Sequence, residues 1–153
     1  MIGDPGSWIL AFARMTNDMI FFVAVIVRLL FIAVSYGLTN YDIDSWYLVG
    51  KTTALGYPIY PDISLGHHPY FPVMLFVYAA VYRIAYNPAA FAALIKILFV
   101  VFDLGILFFV RRVAGARGGW LYACNPVTIL TLCVQGQFDS IPLFFLIVTL
   151  YSG

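Results

Sequence analysis

Two aspartates, Asp42 and Asp44, follow the first long apolar stretch of the chain almost directly. Carboxylates two residues apart repel one another, and this repulsion favours a protonated state for one of the two. One of them can then act as a general base toward a hydroxyl group, or the pair can hold a divalent cation through its oxygens. The structural alternative is a helix N-cap at Asp44, because aspartate is among the residues preferred there.

Two histidines, His67 and His68, precede the next apolar stretch and are followed by Tyr70. Pro69 and Pro72 favour an extended entry into that stretch, because the residue before a proline avoids helical backbone angles. An imidazole can hydrogen-bond a phosphate or a sugar, so His67, His68 and Tyr70 are candidate substrate-binding residues. The same residue types are also typical of a membrane interface that binds no ligand.

Lys96 and Asp103 are charged residues inside a long apolar stretch. Seven residues apart, they fall on one face of a helix, two turns from one another. A charge at the centre of a bilayer costs on the order of 3 kcal/mol, so such residues usually face the bundle interior and pair. Each can find a structural neighbour, such as Arg28 or Asp139. The functional alternative is a polar lining for a pocket that takes a lipid phosphate or a sugar.

Another set of polar residues flanks a later apolar run, with Asn125-Pro126 before it and the segment 136–139 (GQFD) after it. Amide and carboxylate side chains beside a glycine permit a broken helix end that lines a cavity. Gln137 and Asp139 are the candidate binding residues of this segment. Ordinary turn chemistry explains the same residues equally well.

The composition indicates what kind of elements must position these residues. Of the 153 residues, 63% are apolar and 10% are charged, whereas a soluble domain is roughly half apolar and a quarter charged. Too few polar side chains remain to cover a surface in water, so a membrane protein is predicted. The net charge of +1 argues against a nucleic-acid partner, which needs a concentrated basic surface. Cys124 and Cys133 are expected to pack as small residues rather than to bind a metal.

Apolar stretches of about 20 residues predict membrane-spanning helices. We expect five spans, at about residues 19–38, 70–86, 88–110, 118–134 and 140–153. Residues 1–18 predict an amphipathic segment on the membrane surface, and no cleavable signal is evident. The predicted fold of residues 19–153 is an all-α polytopic transmembrane helix bundle. Because the last apolar run is still hydrophobic at Gly153, we expect this chain to be a piece of a longer protein.

Residues 39–69 are the long polar segment of the chain and predict a structured first external loop. Pro58, Pro61 and Pro69 interrupt regular structure. Between the spans, Asp44–Leu55 is expected to form one short helix capped by Asp44. Long ordered loops are usually functional, so the loop is the expected place of the chemistry.

The basic hinge of Arg111, Arg112 and Arg117 conflicts with a simple count of spans. If the N-terminus is cytoplasmic, the loop at 39–69 faces outward, and after three spans the basic hinge also faces outward. The positive-inside rule favours the opposite side for these arginines. Either the short second run is not a full span, or the hinge binds something specific.

Taken in chain order, these motifs resemble the GT-C superfamily of integral membrane glycosyltransferases, especially its bacterial mannosyltransferase-like members that use polyprenyl-phosphate sugars. The resemblance covers about residues 28–151. It depends on YDIDSWYLVG after the first span, HHPYFPVMLF at the second, Lys96 and Asp103 in the third, and Asn125-Pro126 before GQFDSIPLFF. GQFDSIP is its most specific part, and the acidic loop is the next.

The resemblance implies transfer of a hexose such as mannose from a polyprenyl-phosphate donor to a glycan or lipid acceptor on the outer face of a bacterial plasma membrane. It implies that an acidic residue of the first external loop is the catalytic base, which corresponds to Asp44 or Asp42, with Asp44 slightly favoured. Cationic groups would stabilise the leaving phosphate, and a divalent cation at the two aspartates is left open. Family enzymes have more spans, so the donor site is expected to be incomplete here.

The alternative from another class is a helical membrane subunit without enzymatic activity, such as half of a transporter or an assembly scaffold. Its charged residues within the membrane would then line a translocation path. The acidic loop and GQFDSIP favour the enzyme, whereas the short length favours the subunit. Further spans in the downstream reading frame would favour the enzyme.

Overall fold

The protein is built from α-helices. The computed structural model describes residues 5–60, 67 and 72–153 and, within them, side chains from Asp18 onward. The elements are α1 (Pro5–Val34), α2 (Tyr41–Ala54), α3 (Val73–Ile84), α4 (Pro88–Ala123), α5 (Pro126–Ile129), a π-helical segment (Leu130–Gln135) and α6 (Ser140–Ser152). The described residues contain no strand, and the predicted all-helical class is confirmed.

Helix α1 joins two segments that the sequence suggests are separate. The predicted surface segment 1–18 and the predicted first span 19–38 share one continuous helix from Pro5 to Val34. Residues 14–18 (RMTND) contain neither glycine nor proline, so nothing there interrupts the ladder of backbone hydrogen bonds. The expected break near Asp18 is therefore not found within the described helix.

Helix α2 begins at Tyr41, ahead of the predicted start, and its cap is Asn40. The side chain of Asn40 accepts a hydrogen bond from the backbone N–H of Ile43 at 2.9 Å, and its own backbone is extended. The prediction that Asp44 caps this helix is wrong, because asparagine caps as well as aspartate does and comes earlier in the chain. Asp42 and Asp44 lie instead in the first turn, where the helix dipole favours negative charge.

Helix α3 is short and packs closely on α2. Its 12 residues rise about 18 Å, less than the roughly 30 Å of a bilayer's hydrocarbon core. The close packing depends on Gly50, because a Cβ atom there would lie 2.7 Å from the carbonyl oxygen of Tyr78. The described helix thus covers only residues 73–84 of the predicted span 70–86.

Helix α4 reverses direction at Gly115. The backbone angles of this residue (φ 68°, ψ −169°) lie in a region that only glycine adopts readily. In a straight helix Asp103 and Tyr122 would lie about 28 Å apart along the axis. Instead, the hydroxyl of Tyr122 donates a hydrogen bond to Asp103 Oδ1 at 2.6 Å. The chain therefore turns back at Gly115 and packs its second arm against its first.

The predicted fourth span, 118–134, is not one helix. Helix α4 ends at Ala123, and the side chain of Asn125 accepts a hydrogen bond from the N–H of Val127 at 3.0 Å to cap α5. Pro126 explains the break, since proline suits the first position of a new helix but cannot continue an old one. The π-helical segment follows and ends at Gly136, which has a φ of 74°.

Helices α1 and α4 run antiparallel. Side chains pair in reverse order along the two helices: Ser35 with Lys96, Arg28 with Asp103, and Phe21 with Arg111. The N-terminus of α2 therefore lies at the opposite end of the bundle from the reversal at Gly115. We call the first end, with Asn40, Asp42, Asp44 and Gln137, the acidic end. We call residues 111–117 at the second end the basic turn.

The core between α2, α3 and α4 contains a cluster of aromatic rings around Trp46. Trp46 stacks on Tyr78 with ring centroids 5.5 Å apart, and it meets Phe99 and Phe138 edge to ring. Offset and edge-to-face pairs of this kind add stability beyond their buried area. Trp46 thereby anchors α2, and with it the acidic end, to the rest of the bundle.

One helix in the described part of the chain, α4, is long and apolar enough to cross a membrane by length and composition. Large apolar side chains are exposed on the outer surfaces of α4 and of the other helices. The most exposed are Val34 at 78%, Val113 at 77%, and Ile84 and Leu150 at 74% each.

Candidate functional site

The acidic end forms where the start of α2 meets the segment that precedes α6. Gln137 Nε2 donates a hydrogen bond to Asp42 Oδ2 at 2.9 Å, and Asn40 Nδ2 donates to the carbonyl oxygen of Gln135 at 2.7 Å. In each bond the two residues are 95 positions apart in the chain. The two most distinctive motifs of the sequence, the acidic loop and GQFDSIP, are therefore in direct contact.

Gly136 makes this approach possible. Its φ of 74° is a left-handed conformation that residues with a Cβ atom rarely adopt. A Cβ at this position would also lie 2.9 Å from Ile43 Cδ1, on the buried side of α2. Gln137 reaches Asp42 because its neighbour in the chain has no side chain to hold the two segments apart.

Asp42 and Asp44 face different sides of the first turn of α2, because residues two apart on a helix do not face each other. Asp42 is half-buried against Gln137, whereas Asp44 is exposed and accepts a long hydrogen bond from Thr39 Oγ1 at 3.3 Å. The two carboxylates thus have different partners and do not form a shared pair. Among the described residues, no three His, Cys, Asp or Glu side chains cluster in a way that would hold a metal ion.

His67 lies against the first turns of α2. Its Nδ1 atom is 2.8 Å from the hydroxyl oxygen of Ser45, and its ring stacks on Tyr41 with centroids 5.6 Å apart. These contacts fix the imidazole on the helix that carries both aspartates. The other two predicted binding residues of this segment, His68 and Tyr70, lie outside the described residues.

Lys96 is buried behind the acidic end. Only 1% of it is exposed, and its Nζ atom donates to Ser35 Oγ at 3.3 Å and to the carbonyl oxygen of Leu38 at 3.4 Å. A Cβ atom on Gly136 would lie 3.5 Å from Lys96 Cε, so the lysine packs against the residue next to Gln137. Within the described ranges no carboxylate forms an ion pair with Lys96. Asp139, which the sequence suggested as a partner, does not pair with it either.

Asp103 belongs to a deeper polar cluster. Arg28 Nε donates to Asp103 Oδ2 at 2.5 Å, and the hydroxyl of Tyr122 donates to Oδ1 at 2.6 Å. Arg28 Nη1 also donates to the carbonyl oxygens of Ala24 and Ala123, at 3.2 and 3.1 Å. Both oxygens of Asp103 therefore have protein donors. The structural alternative, pairing with Arg28, accounts for Asp103 without a substrate.

A cavity of about 230 Å³ adjoins this deeper cluster, between α4, α5 and α6. Its polar lining consists of Asp103, Tyr122, Thr128, Thr131, Asp139 and Ser140. Asp139 is exposed and has no side-chain hydrogen bond to the start of α6. Of the two binding residues predicted in GQFD, Gln137 thus contacts Asp42, whereas Asp139 lines this cavity.

Sequence reasoning missed the roles of Asn40 and Tyr122. Asn40 has a recognisable signal, because an asparagine directly before a turn with two acidic residues is typical of an N-cap. Tyr122 has no such signal. It reaches Asp103 only because the chain reverses at Gly115, and the spacing of the two residues gives no hint of that contact.

Comparison with known proteins yields no match: no family model, no curated protein and no solved structure is similar to this chain. The contacts of its own side chains are therefore the basis for assigning a function.

Proposed function

We propose that this chain is the membrane-embedded, amino-terminal part of a glycosyltransferase that moves a hexose, such as mannose, from a polyprenyl-phosphate donor to a glycan or lipid acceptor. The observation that carries the proposal is the hydrogen bond between Gln137 and Asp42. It joins the acidic loop to the GQFD segment, the two parts of the sequence on which the resemblance to GT-C enzymes chiefly depends.

In this proposal Asp42 is the general base. Gln137 donates to Oδ2 of its carboxylate and orients it. The other oxygen, Oδ1, takes the proton of the acceptor hydroxyl as the hydroxyl oxygen attacks the anomeric carbon. The bond from that carbon to the phosphate oxygen breaks, and its electron pair leaves with the polyprenyl phosphate. A positioned base of this kind contributes roughly 100- to 10,000-fold in rate.

Asp42 is preferred over Asp44, although the sequence slightly favours the reverse. The sequence favoured Asp44 because it was expected to be the first residue of α2, but Asn40 caps the helix instead. Asp44 is exposed and has a weak partner in Thr39, so water solvates its charge. Asp42 is half-buried and oriented by a distant part of the chain, which is the arrangement that a positioned base requires.

The proposed setting is a polytopic membrane bundle. Large apolar side chains cover the outer surfaces of α1, α4 and α6, and the most exposed of them would be costly in water. Lipid tails would solvate these surfaces at no such cost. Backbone groups in lipid must be satisfied internally, and the helices of the described residues meet that requirement.

The two ends of the bundle support an orientation with the acidic end outside. The basic turn lies at the opposite end from Asp42, because α1 and α4 are antiparallel. If the short helix α3 does not cross the membrane, the span count and the positive-inside rule agree on this orientation. With the basic turn in the cytoplasm, Asp42 meets acceptors on the outer face.

A helical subunit of a transporter is the second candidate. The observation that favours it is the cavity of about 230 Å³ beside Asp103, because buried charges next to a cavity can line a translocation path. In this chain, however, Asp103 already has Arg28 and Tyr122 as donors. The glycosyltransferase therefore remains the first proposal.

The test is hexose transfer in membranes that contain the chain, with radiolabelled polyprenyl-phosphate mannose as donor. We expect Asp42→Asn to lower the rate roughly 100-fold or more while the Kd for the donor stays within about twofold. Gln137→Ala should lower the rate less, because the base is retained but no longer oriented. Asp44→Asn is the matched control, two positions away on the same helix, and should leave the rate nearly unchanged.

Equal transfer rates for wild type and Asp42→Asn would exclude Asp42 as the base. A low rate for Asp44→Asn alone would restore the assignment that the sequence favours. If no labelled sugar is transferred in the wild type, either in this chain or in a longer protein that contains it, the enzyme proposal fails and the subunit takes its place.

A further inference from the structure

We propose that the basic turn binds the headgroups of anionic phospholipids and so holds its end of the bundle at the membrane surface. Arg112 and Arg117 contact the phosphates, and the apolar side chains of Val113 and Tyr151 contact the lipid chains. The site rests on the proposed function only for its membrane setting. It involves no sugar donor and no residue of the acidic end, so it can be tested without any transfer reaction.

The reversal at Gly115 concentrates three arginines at one end of the bundle. A Cβ atom on Gly119, in the second arm of α4, would lie 3.1 Å from Cγ of Arg111, in the first arm. The arms can come this close because Gly119 has no side chain. Arg117, two residues before Gly119, therefore returns to the end of the bundle where Arg111 and Arg112 lie. The three positive charges fall within residues 111–117.

One of these arginines is held by the fold, and the other two are exposed. Arg111 is half-buried, and its guanidinium lies over the ring of Phe21, 5.0 Å from the centroid. Arg112 and Arg117 are exposed, and no carboxylate of the described residues forms an ion pair with either. Asp18, one turn before Phe21, is the one described carboxylate at this end. The basic turn therefore has an excess of positive charge that an anionic partner complements.

Arg112 is held at the edge of an apolar outer surface. Its guanidinium lies over the ring of Phe108, 5.6 Å from the centroid, and 6.0 Å from the ring centroid of Tyr151 near the end of α6. A guanidinium stacks on aromatic rings with its flat face, whereas its N–H donors lie in its plane. Those donors remain available for a phosphate, which an arginine can bind through two parallel hydrogen bonds.

The apolar residues around the arginines favour a phospholipid over an acidic partner in water. Val113, next to Arg112, is 77% exposed, and on α6 Leu150 is 74% and Tyr151 53% exposed. A phospholipid matches both features, because its phosphate meets the arginines while its acyl chains cover the apolar side chains. An acidic peptide or a free phosphate ion would leave these side chains in water.

The proposed orientation places the basic turn at a leaflet that contains such lipids. The cytoplasmic leaflet has a negative surface potential from anionic lipids, and it attracts basic segments next to membrane helices. Each arginine near such a surface is worth a factor of about 5 in affinity. Two exposed arginines are therefore enough to select an anionic phospholipid over a zwitterionic one.

Binding is measured by equilibrium titration of the purified chain in a non-ionic detergent with dioctanoyl phosphatidylglycerol. Dioctanoyl phosphatidylcholine is the lipid control, because it has the same chains and a phosphate but no net charge. We expect the Kd for phosphatidylglycerol to be at least tenfold lower than that for phosphatidylcholine. It should rise when the salt concentration is raised from about 0.1 M to about 0.5 M, because salt screens exposed charges.

The double variant Arg112→Gln/Arg117→Gln should raise the Kd for phosphatidylglycerol about 25-fold, because two exposed charges are lost. Arg83→Gln is the matched control, since Arg83 is an exposed arginine in the last turn of α3, just before α4 begins. It should leave the Kd within about twofold of wild type. Arg112→Lys/Arg117→Lys retains both charges and should stay within about fivefold, and it keeps the test valid if the Gln variant does not fold.

An equal Kd for wild type and Arg112→Gln/Arg117→Gln overturns the proposal, as does equal affinity for the two lipids. If inorganic phosphate or a hexaglutamate peptide binds as tightly as phosphatidylglycerol, the turn recognises charge alone and the assignment to a lipid is wrong. Failure here is distinct from failure of the proposed function. Asp42→Asn should bind phosphatidylglycerol as wild type does, even though it does not transfer sugar.

Discussion

Two buried cations face the space between α1 and α4, and they differ in how their charge is met. Arg28 is fully buried, but its guanidinium contacts the carboxylate of Asp103 and two backbone carbonyls. Lys96 lies in α4 about 10 Å before Asp103, toward the N-terminus of the helix. It is equally buried and has only neutral partners. The charge of Arg28 is thus neutralised by a carboxylate within the fold, whereas Lys96 has no counter-charge among the described residues.

The largest effect is expected when the carboxylate partner of Arg28 is removed. Asp103→Leu should lower the free energy of unfolding by about 3–5 kcal/mol, because it leaves a guanidinium buried without a counter-charge. Equilibrium unfolding in detergent micelles measures the loss. Asp44→Leu, at an exposed carboxylate, is the control and should stay within about 0.5 kcal/mol of wild type. Similar losses for the two variants would mean that the buried pair is not a stabilising unit.

The second donor to Asp103 is tested by Tyr122→Phe. The change removes one hydroxyl that donates to a carboxylate at 2.6 Å, so we expect a loss of about 1.5–3 kcal/mol in unfolding free energy. Tyr57→Phe, at an exposed tyrosine, is the matched control. A Tyr122 variant as stable as that control would show that Arg28 alone neutralises Asp103.

A substitution at Asn40 tests how much the contacts of the acidic end contribute to the free energy of unfolding. Asn40→Ala removes a helix cap worth about 0.5–2 kcal/mol and also the bond to Gln135. Asn87→Ala is the control, because Asn87 caps α4 through Ala89 and has an exposed side chain. The loss for Asn40 should exceed that for Asn87 by about 0.5–1.5 kcal/mol. Equal losses would indicate that the bond across to Gln135 adds nothing.

The smallest effect is expected for Lys96→Met. An unpaired buried charge is replaced by an apolar chain of similar length, so the unfolding free energy should be unchanged or slightly higher. Equilibrium unfolding in detergent micelles measures this difference, under the same conditions as for Asp103→Leu. A loss of several kcal/mol would show that Lys96, like Arg28, is part of the structural framework.

Several features of the fold were predictable because they depend on local physics. Runs of apolar residues predicted helices at the positions of α1, α3, α4 and α6. The new helix at Pro126 was not predicted, because residues 118–134 were expected to form one span. The sequence could not show that residues 5–34 form one helix, since no local signal distinguishes a surface segment from the start of a longer helix. It also assigned the cap of α2 to Asp44 although Asn40 offers the same chemistry.

The candidate site depends on contacts that sequence spacing does not encode. Asp42 was a candidate from its residue type, and so was Gln137, but their contact crosses 95 positions and requires Gly136 to approach Ile43. The preference for Asp42 over Asp44 follows from that contact, from the cap at Asn40 and from the exposure of Asp44. A helix shows which residues share a face, whereas the partner of that face depends on how the helices pack.

The sequence by itself determined that this protein is helical, that its charges are few, and that those within apolar stretches need partners, because hydrophobicity and the cost of burying charge act on each segment locally. The tertiary structure decided which partner each charge has. The reversal at Gly115 carries Tyr122 to Asp103, and the antiparallel packing of α1 and α4 joins Arg28 to the same carboxylate. The same packing leaves Lys96 without a counter-charge among the described residues.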